Sequence, residues 1–558
     1  VRLSPKPSRS KAAPKAFSTW SAHGRRLILS AVCASLLAPP PGFAHTEPYT
    51  PAPVISLPAL GDSSAQALSP AAERKLGDRI MRAILGDPAV IDDPLVLEYI
   101  DQVWQRLLLA ARQRGEITAE LDQVLAWDAF LVKDRSVNAF ALPGGYIGVH
   151  LGLLAVTRTP DELASVLAHE LSHVTQRHIA RMIGQQSRTS WIGIASLLLG
   201  VLAASANPAA AQALIYGGQA AAIQGQLNFS RDMEREADRV GFGLLSEAGF
   251  RDSGMALMFE TLQQASRLND DGSFPYLRTH PLTTERIGEA RARLGAKSWD
   301  TRAALRPDAS EQWAWHVLMA ARARVLMDTR SVALEALGNL RPPPDASPLD
   351  AIAAHYTRAV TWQRSNGHAR AAQALSEARS LLPQLPAGQQ ALAQRVLLIS
   401  AIEGQLLAQQ HDAAAASLRE LMGPGRPSVV KLSARPELIY ASRLALALPP
   451  SSERNAAWSD AAARLQTHLS VHPHDSTAWS LLASLWQQLG QPIRAVRAEA
   501  EAAAAEGDLP GAIDRAEGGR KRFRQPDAAA IVELSVLDAR LKDWQRQLRE
   551  DMREDGGR

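Results

Sequence analysis

The chain has 558 residues, 46% of them hydrophobic and only 5% aromatic, which is enough apolar material for more than one core. Its formal charge of +4 is misleading, because residues 1–44 carry seven Arg or Lys and no acid, leaving 54 basic against 57 acidic residues elsewhere. No basic patch with interleaved aromatics remains, so no nucleic-acid partner is expected, and the single cysteine, Cys33, rules out a disulfide framework.

Residues 1–44 read as an export signal. Arg25 and Arg26 precede an apolar run at 27–38, and a small-residue cleavage site follows at Ala44. The run is too short for a comfortable membrane span. A periplasmic location after removal of this segment is the expected consequence. Helical apolar spacing then appears at 71–85 and 94–114. Residues 136–149, SVNAFALPGGYIGV, alternate in hydrophobicity around a Pro-Gly-Gly turn and predict a short strand pair.

The chemistry-bearing segment is His169-Glu170-Leu171-Ser172-His173, inside the apolar helical run DELASVLAHELSHVTQRHIARM. Histidines at i and i+4 share one helical face, so both imidazoles can reach one metal ion. Glu170 is placed to take a proton from water activated there, the arrangement of a zinc peptidase. A metzincin needs Gly at 176 and His at 179; Gln176 and Ile179 exclude that class. His178 falls about half a turn away on the helix wheel and is a poorer ligand candidate.

Residues 189–230 carry no charge and include the apolar stretch 191–204. Both ends must return to the same metal, so this is an excursion and not a single crossing. It reads as a mobile lid or membrane-surface element, with a buried helix pair and a re-entrant insertion as the alternatives.

The third ligand is sought in SRDMEREADRVG. Glu234 and Asp238 stand i, i+4 on a second predicted helix, with Glu234 as the ligand and Asp238 as hydrogen-bond acceptor for a ligand histidine. Glu236 points elsewhere and is expected in solvent. His280 precedes Pro281, which biases it to an extended, non-helical conformation. It is either a surface residue or a further metal ligand. Arg286 is either a solvated helix charge or a group that steers an oxyanion or substrate carbonyl.

Beyond residue 311 the sequence turns to alanine-rich helices with short loops. Trp479, Leu482, Ala483, Trp486, Gly490, Ala495 and Ala502 follow tetratricopeptide spacing, and the pairs Gly507–Ala512 and Gly367–Ala372 repeat the same offset. Helix pairs of this kind stack into a concave surface that binds peptides or partner proteins. The last twenty residues are expected to fray.

Four segments, VNAFALPGGYIGV, AHELSHVTQRH, SRDMEREADRVG and THPLTTERI, together resemble the CAAX-prenyl-endopeptidase family of zinc metallopeptidases. The likeness is greatest to its periplasmic branch, which joins such a domain to tetratricopeptide repeats. The resemblance implies one Zn2+ per chain held by His169, His173 and Glu234, with Glu170 as base and Asp238 as a proton donor. It also implies His280 as an inhibitory fourth ligand, and a sheet edge beside the metal that receives substrate as an added strand. The clients it implies are misfolded or stalled outer-membrane proteins. The implied docking partner is the barrel-assembly machinery, held by the repeats. Peripheral membrane contact through 189–230 is expected separately, from the uncharged composition of that stretch.

The expected fold is mainly α: a zincin-type α+β domain with a small β-sheet at 45–305, followed by an all-α tetratricopeptide-like solenoid at 306–558. The expected function is a periplasmic zinc endopeptidase of outer-membrane protein quality control, with a chaperone-like role. The other reading is a repeat-based chaperone or scaffold carrying a latent protease. A membrane-bound prenyl-protein protease is disfavoured by the lack of multiple spans.

Overall fold

The computed structural model describes residues 68–185, 231–268, 275–295, 308–423, 434–448, 454–523 and 528–556. Residues 1–44, expected to be an export signal, and the uncharged stretch 189–230 lie outside these residues. Among the described residues no helix is long and apolar enough to cross a membrane.

The first half is built around a small sheet and one buried helix. Helix α1 (Pro70–Leu85) is followed by β1 (Val90–Ile91), α2 (Pro94–Gln113), α3 (Ala119–Val124), β2 (Asp128–Val132), β3 (Ala139–Leu142) and β4 (Tyr146–His150). The sheet order is β1-β2-β4-β3, with β2 parallel to β4 and β3 antiparallel to β4. The β3–β4 hairpin is the strand pair expected from the Pro-Gly-Gly turn. Gly144 and Gly145 take φ of 83° and 84° there, where a side chain would strain the turn.

After α4 (Leu151–Val156) comes α5 (Pro160–Thr175), the metal-motif helix. The Thr159 side chain caps it, Pro160 opens it, and Asp161 and Glu162 complement the positive end of its dipole. All sixteen of its residues are buried. It packs against α2, β3, α7 (Arg231–Glu247) and α8 (Ser253–Leu268). At the crossing with α7, a Cβ on Gly241 would stand 3.2 Å from backbone atoms of Ala168 and His169, so only glycine allows this approach without displacement. Helix α6 (His178–Gln185) follows α5 directly, because Arg177 takes φ of 54° and ends the helical path. Helices α9 (Pro275–Thr279) and α10 (Thr284–Arg293) complete this half.

In its described residues the second half consists of helices and the turns that join them. It runs through α11 (Glu311–Leu326), α12 (Ser331–Gly338), α13 (Pro348–Arg364), α14 (His368–Ser380), α15 (Ala387–Leu407), α16 (His411–Met422), α17 (Arg435–Ala447), α18 (Arg454–Val471), α19 (Ser476–Gln488), α20 (Pro492–Ala505), α21 (Leu509–Arg522) and α22 (Ala528–Gly556). One turn recurs between successive helices. A left-handed residue (Asn366, Gln409, Gly490 or Gly507) is followed five positions later by a buried alanine: Ala371, Ala414, Ala495 or Ala512. The sequence offset from Gly490 and Gly507 is therefore correct. Counting from Gly367 runs one residue late, because Asn366 takes the left-handed position and Gly367 is the N-cap.

The final helix does not fray in the way its position suggests. Leu537, Leu541 and Trp544 are buried with residues of α20 and α21 in one apolar cluster. Three buried or half-buried arginines fasten the helical half to the start of α2. Arg322 Nε bonds both oxygens of Asp93 at 2.9 Å, Arg395 reaches Glu98 at 2.9 Å, and Arg435 Nη1 reaches Asp92 at 2.7 Å.

Candidate metal centre

Two helices and one bend bring four donor side chains together. His169 and His173 come from α5, Glu234 from the first turn of α7, and His280 from the bend after α9. Their ligand atoms all lie within 4.8 Å of one another, and all four residues are buried. His169 Nε2 stands 3.0 Å from His173 Nε2 and 3.5 Å from Glu234 Oε2, and His173 Nε2 is 3.4 Å from Glu234 Oε1. His280 Nδ1 lies 3.2 Å from His169 Nε2 and 2.9 Å from Glu234 Oε1.

This donor set fits zinc. Tetrahedral coordination with bonds of about 2.0–2.1 Å spaces the donors roughly 3.3 Å apart, which is the spacing seen here. Imidazole nitrogens with one carboxylate are also the mixture zinc favours. Glu234 Oε2 is buried and accepts no hydrogen bond. Arg286 Nη1 is 2.7 Å from that oxygen as an ion pair, but out of hydrogen-bonding alignment.

Asp238, one turn beyond Glu234, takes the position expected of a hydrogen-bond partner, with Oδ1 2.9 Å from His169 Nδ1. Burial alone would raise its pKa, but hydrogen bonds from Arg286 and His169 hold it down at about 2. In the metal-free cluster burial works against a charge on His169, yet the Glu234 and Asp238 carboxylates raise it to about 9. Burial drives His173 the other way, well below its ordinary value. Glu234 is depressed well below the carboxylate range: burial opposes its charge, and the neighbouring His280 and His169 outweigh that.

Glu170 lies fully buried beside the donors, and burial raises its pKa. The backbone N–H of Ala141, on edge strand β3, donates to its Oε2 at 3.1 Å. Its Oε1 accepts no hydrogen bond and is 3.4 Å from His280 Nε2. The sheet edge and the carboxylate are thus in direct contact.

Several sequence expectations need correction here. His280 is not a surface residue: it is 2% exposed, its backbone N–H bonds Tyr276 O at 2.8 Å, and its ring stacks on Tyr276. Arg286 is neither solvated nor free to meet a carbonyl, because it is buried and bonded to Asp238 and to the carbonyl of Pro281. Glu236 is half-buried and paired with His178 and Arg181. His178 is not among the donors, as expected, but it does not face away from the centre either. The break at Arg177 swings its Nδ1 to 2.8 Å from His173 Nδ1. Nothing in the local sequence marks Tyr276 as the ring beneath His280.

A buried pair of histidines one helical turn apart, with a carboxylate from a second helix and a glutamate beside them, defines a metallopeptidase. The profile of peptidase family M48 matches residues 98–294. The beta-barrel assembly-enhancing protease of Yersinia pestis is 31% identical over 541 residues, covering 94% of this chain and 99% of its own length. The protein of the same name from Escherichia coli is 35% identical over 241 residues, 43% of this chain and 47% of that one. A Vibrio cholerae relative is 38% identical over 263 residues. That match covers 47% of this chain and spans 51% of the Vibrio protein. The chain belongs to peptidase family M48.

Proposed function

We propose that this chain is a zinc-dependent endopeptidase of the bacterial periplasm that acts in the assembly and quality control of outer-membrane proteins. The observation that carries the reading is the convergence of His169, His173 and Glu234 with Glu170 beside them. The names of the Yersinia pestis and Escherichia coli relatives support the assignment to barrel assembly. Residues 1–44 would be the export signal, 45–305 the protease domain and 306–558 a tetratricopeptide array. The array would hold misfolded or stalled clients, or the barrel-assembly machinery, and lend a chaperone-like role. Residues 189–230 would touch the membrane surface.

His169, His173 and Glu234 would hold one zinc ion. When bound, zinc supplies Lewis acidity to the attacking water and the scissile carbonyl. Glu170 accepts the proton of that water and delivers it to the leaving amine. Burial raises the pKa of Glu170, which makes it a stronger proton acceptor than an exposed carboxylate. Asp238 holds His169 in one tautomer through Nδ1, and with a pKa near 2 it is better suited to that than to donating a proton. Strand β3 offers its free edge to an extended peptide, beside the base that Ala141 steadies.

Glu170→Gln tests the enzyme reading. The variant should keep its zinc and its fold and lose cleavage of casein; undiminished cleavage would end the proposal. One observation favours a second reading, a chaperone or scaffold with a latent protease. His280 Nδ1 occupies the fourth corner of the donor set, the position a catalytic zinc site keeps open. In that state the site is closed, and the bend after α9 must move before substrate enters.

A further inference from the structure

The two histidines of α5 are oriented by different means. His169 points its Nδ1 at the Asp238 carboxylate, 2.9 Å away. At His173 the neighbour of Nδ1 is a second imidazole, His178 Nδ1, at 2.8 Å. We infer that His178, Glu236 and Arg181 form a positioning arm that fixes the tautomer of His173 and so leaves its Nε2 bare for the metal; the inference rests on the zinc reading above.

The polarity runs inward from the carboxylate. Glu236 Oε2 lies 3.0 Å from His178 Nε2 and 2.9 Å from Arg181 Nη1. An ionised carboxylate only accepts, so His178 Nε2 carries a hydrogen. A neutral ring protonated at Nε2 presents a lone pair at Nδ1. Two ring nitrogens in hydrogen-bond contact need one donor and one acceptor, so His173 Nδ1 supplies the hydrogen. The lone pair of His173 then sits on Nε2, facing His169 Nε2 and Glu234 Oε1 at 3.0 and 3.4 Å. A carboxylate two rings away decides which nitrogen of the ligand carries the hydrogen and which the lone pair.

The arm depends on the break between α5 and α6. On an unbroken helix a residue five positions after His173 would lie about 140° round the wheel, facing away from its ring. Arg177 takes the left-handed conformation, which a non-glycine residue adopts only where its surroundings hold it. Its guanidinium is anchored on buried Glu73 at 3.0 Å. The turn brings His178, itself 0% exposed, under His173, while Glu236 reaches in from α7, the helix that carries Glu234. Helix α7 therefore serves the centre three times: Glu234 as donor, Asp238 behind His169 and Glu236 behind His178.

The test is zinc affinity, measured on the full chain by competition with a chelator. His178→Phe keeps the ring volume and removes the acceptor, and should weaken zinc binding by about 10–100-fold. His178→Asn places an oxygen acceptor where Nδ1 stood and should recover most of that loss. Should the Phe variant fail to fold, Glu236→Leu takes its place and should weaken affinity in a protein with native circular dichroism. Wild-type affinity in the Phe variant overturns the inference, as do equal losses in Phe and Asn, or an unchanged Glu236→Leu. If the unmodified chain binds no zinc, the proposed function falls with it. Unaltered affinity in the variants sinks the positioning arm alone.

Discussion

Arg286 grips Asp238 with two hydrogen bonds, Nε to Oδ2 at 2.6 Å and Nη2 to Oδ1 at 2.8 Å, while Asp238 Oδ1 also meets His169 Nδ1. A carboxylate held this way positions a ligand imidazole and is poorly placed to give up a proton. Asp238→Ala should therefore weaken zinc affinity by about 10–100-fold. Chelator competition would check this. Full affinity combined with lost peptidase activity would instead favour the proton-donor role.

If His280 closes the fourth corner, removing it should open the site. His280→Ala is expected to cleave casein faster than the unmodified chain while retaining one zinc. A variant with unchanged or lower activity and full metal content would discredit the latch.

The metal-free centre should be sensitive to alkali. His169 in the folded, metal-free protein is raised to about 9 from an ordinary 6.5, so folding binds its proton more tightly. That stabilisation is complete below pH 6.5 and disappears as pH rises through 9. Thermal melts of chelator-treated protein should fall across this window, and those of zinc-loaded protein should fall much less. Zinc must displace the same proton, so its apparent affinity should climb over the same range. A flat or rising melting temperature in the chelated protein would contradict this account of the cluster.

Arg322, with 0% side-chain exposure, joins Asp93 and Glu403. Arg322→Ala leaves both carboxylates without this partner and should destabilise the chain by about 3–5 kcal/mol, measurable by urea unfolding. Truncation at residue 310 would remove Arg322, Arg395 and Arg435 together. Lost activity in such a fragment would reflect folding as much as recruitment.

The parts of the centre that follow helical periodicity were legible in the sequence. His169 and His173 share a face because α5 is regular, and Glu234 with Asp238 do so on α7. The hairpin at 139–150 was legible from its alternation and its turn. What escaped depended on departures from regularity or on tertiary contact. His178 is no metal ligand, as its spacing implies, but its contact with His173 was not legible because a left-handed Arg177 breaks the helix between them. Strand β2 escaped because only its last three residues are fully buried, which leaves little alternation to read. Arg286 and Glu236 looked like ordinary helix charges until their partners arrived from helices distant in sequence. Gln409, a non-glycine left-handed residue, concealed one of the four recurring helix turns, and Asn366 shifted the reading of another by one residue.

The most direct test is the metal content and coordination of the full chain and its Glu234→Ala variant. The account predicts one zinc per unmodified chain, with nitrogen and oxygen ligands at about 2.0–2.1 Å by X-ray absorption, and severely weakened binding once Glu234 is removed. Absence of stoichiometric zinc, or zinc held equally well by Glu234→Ala, would contradict it.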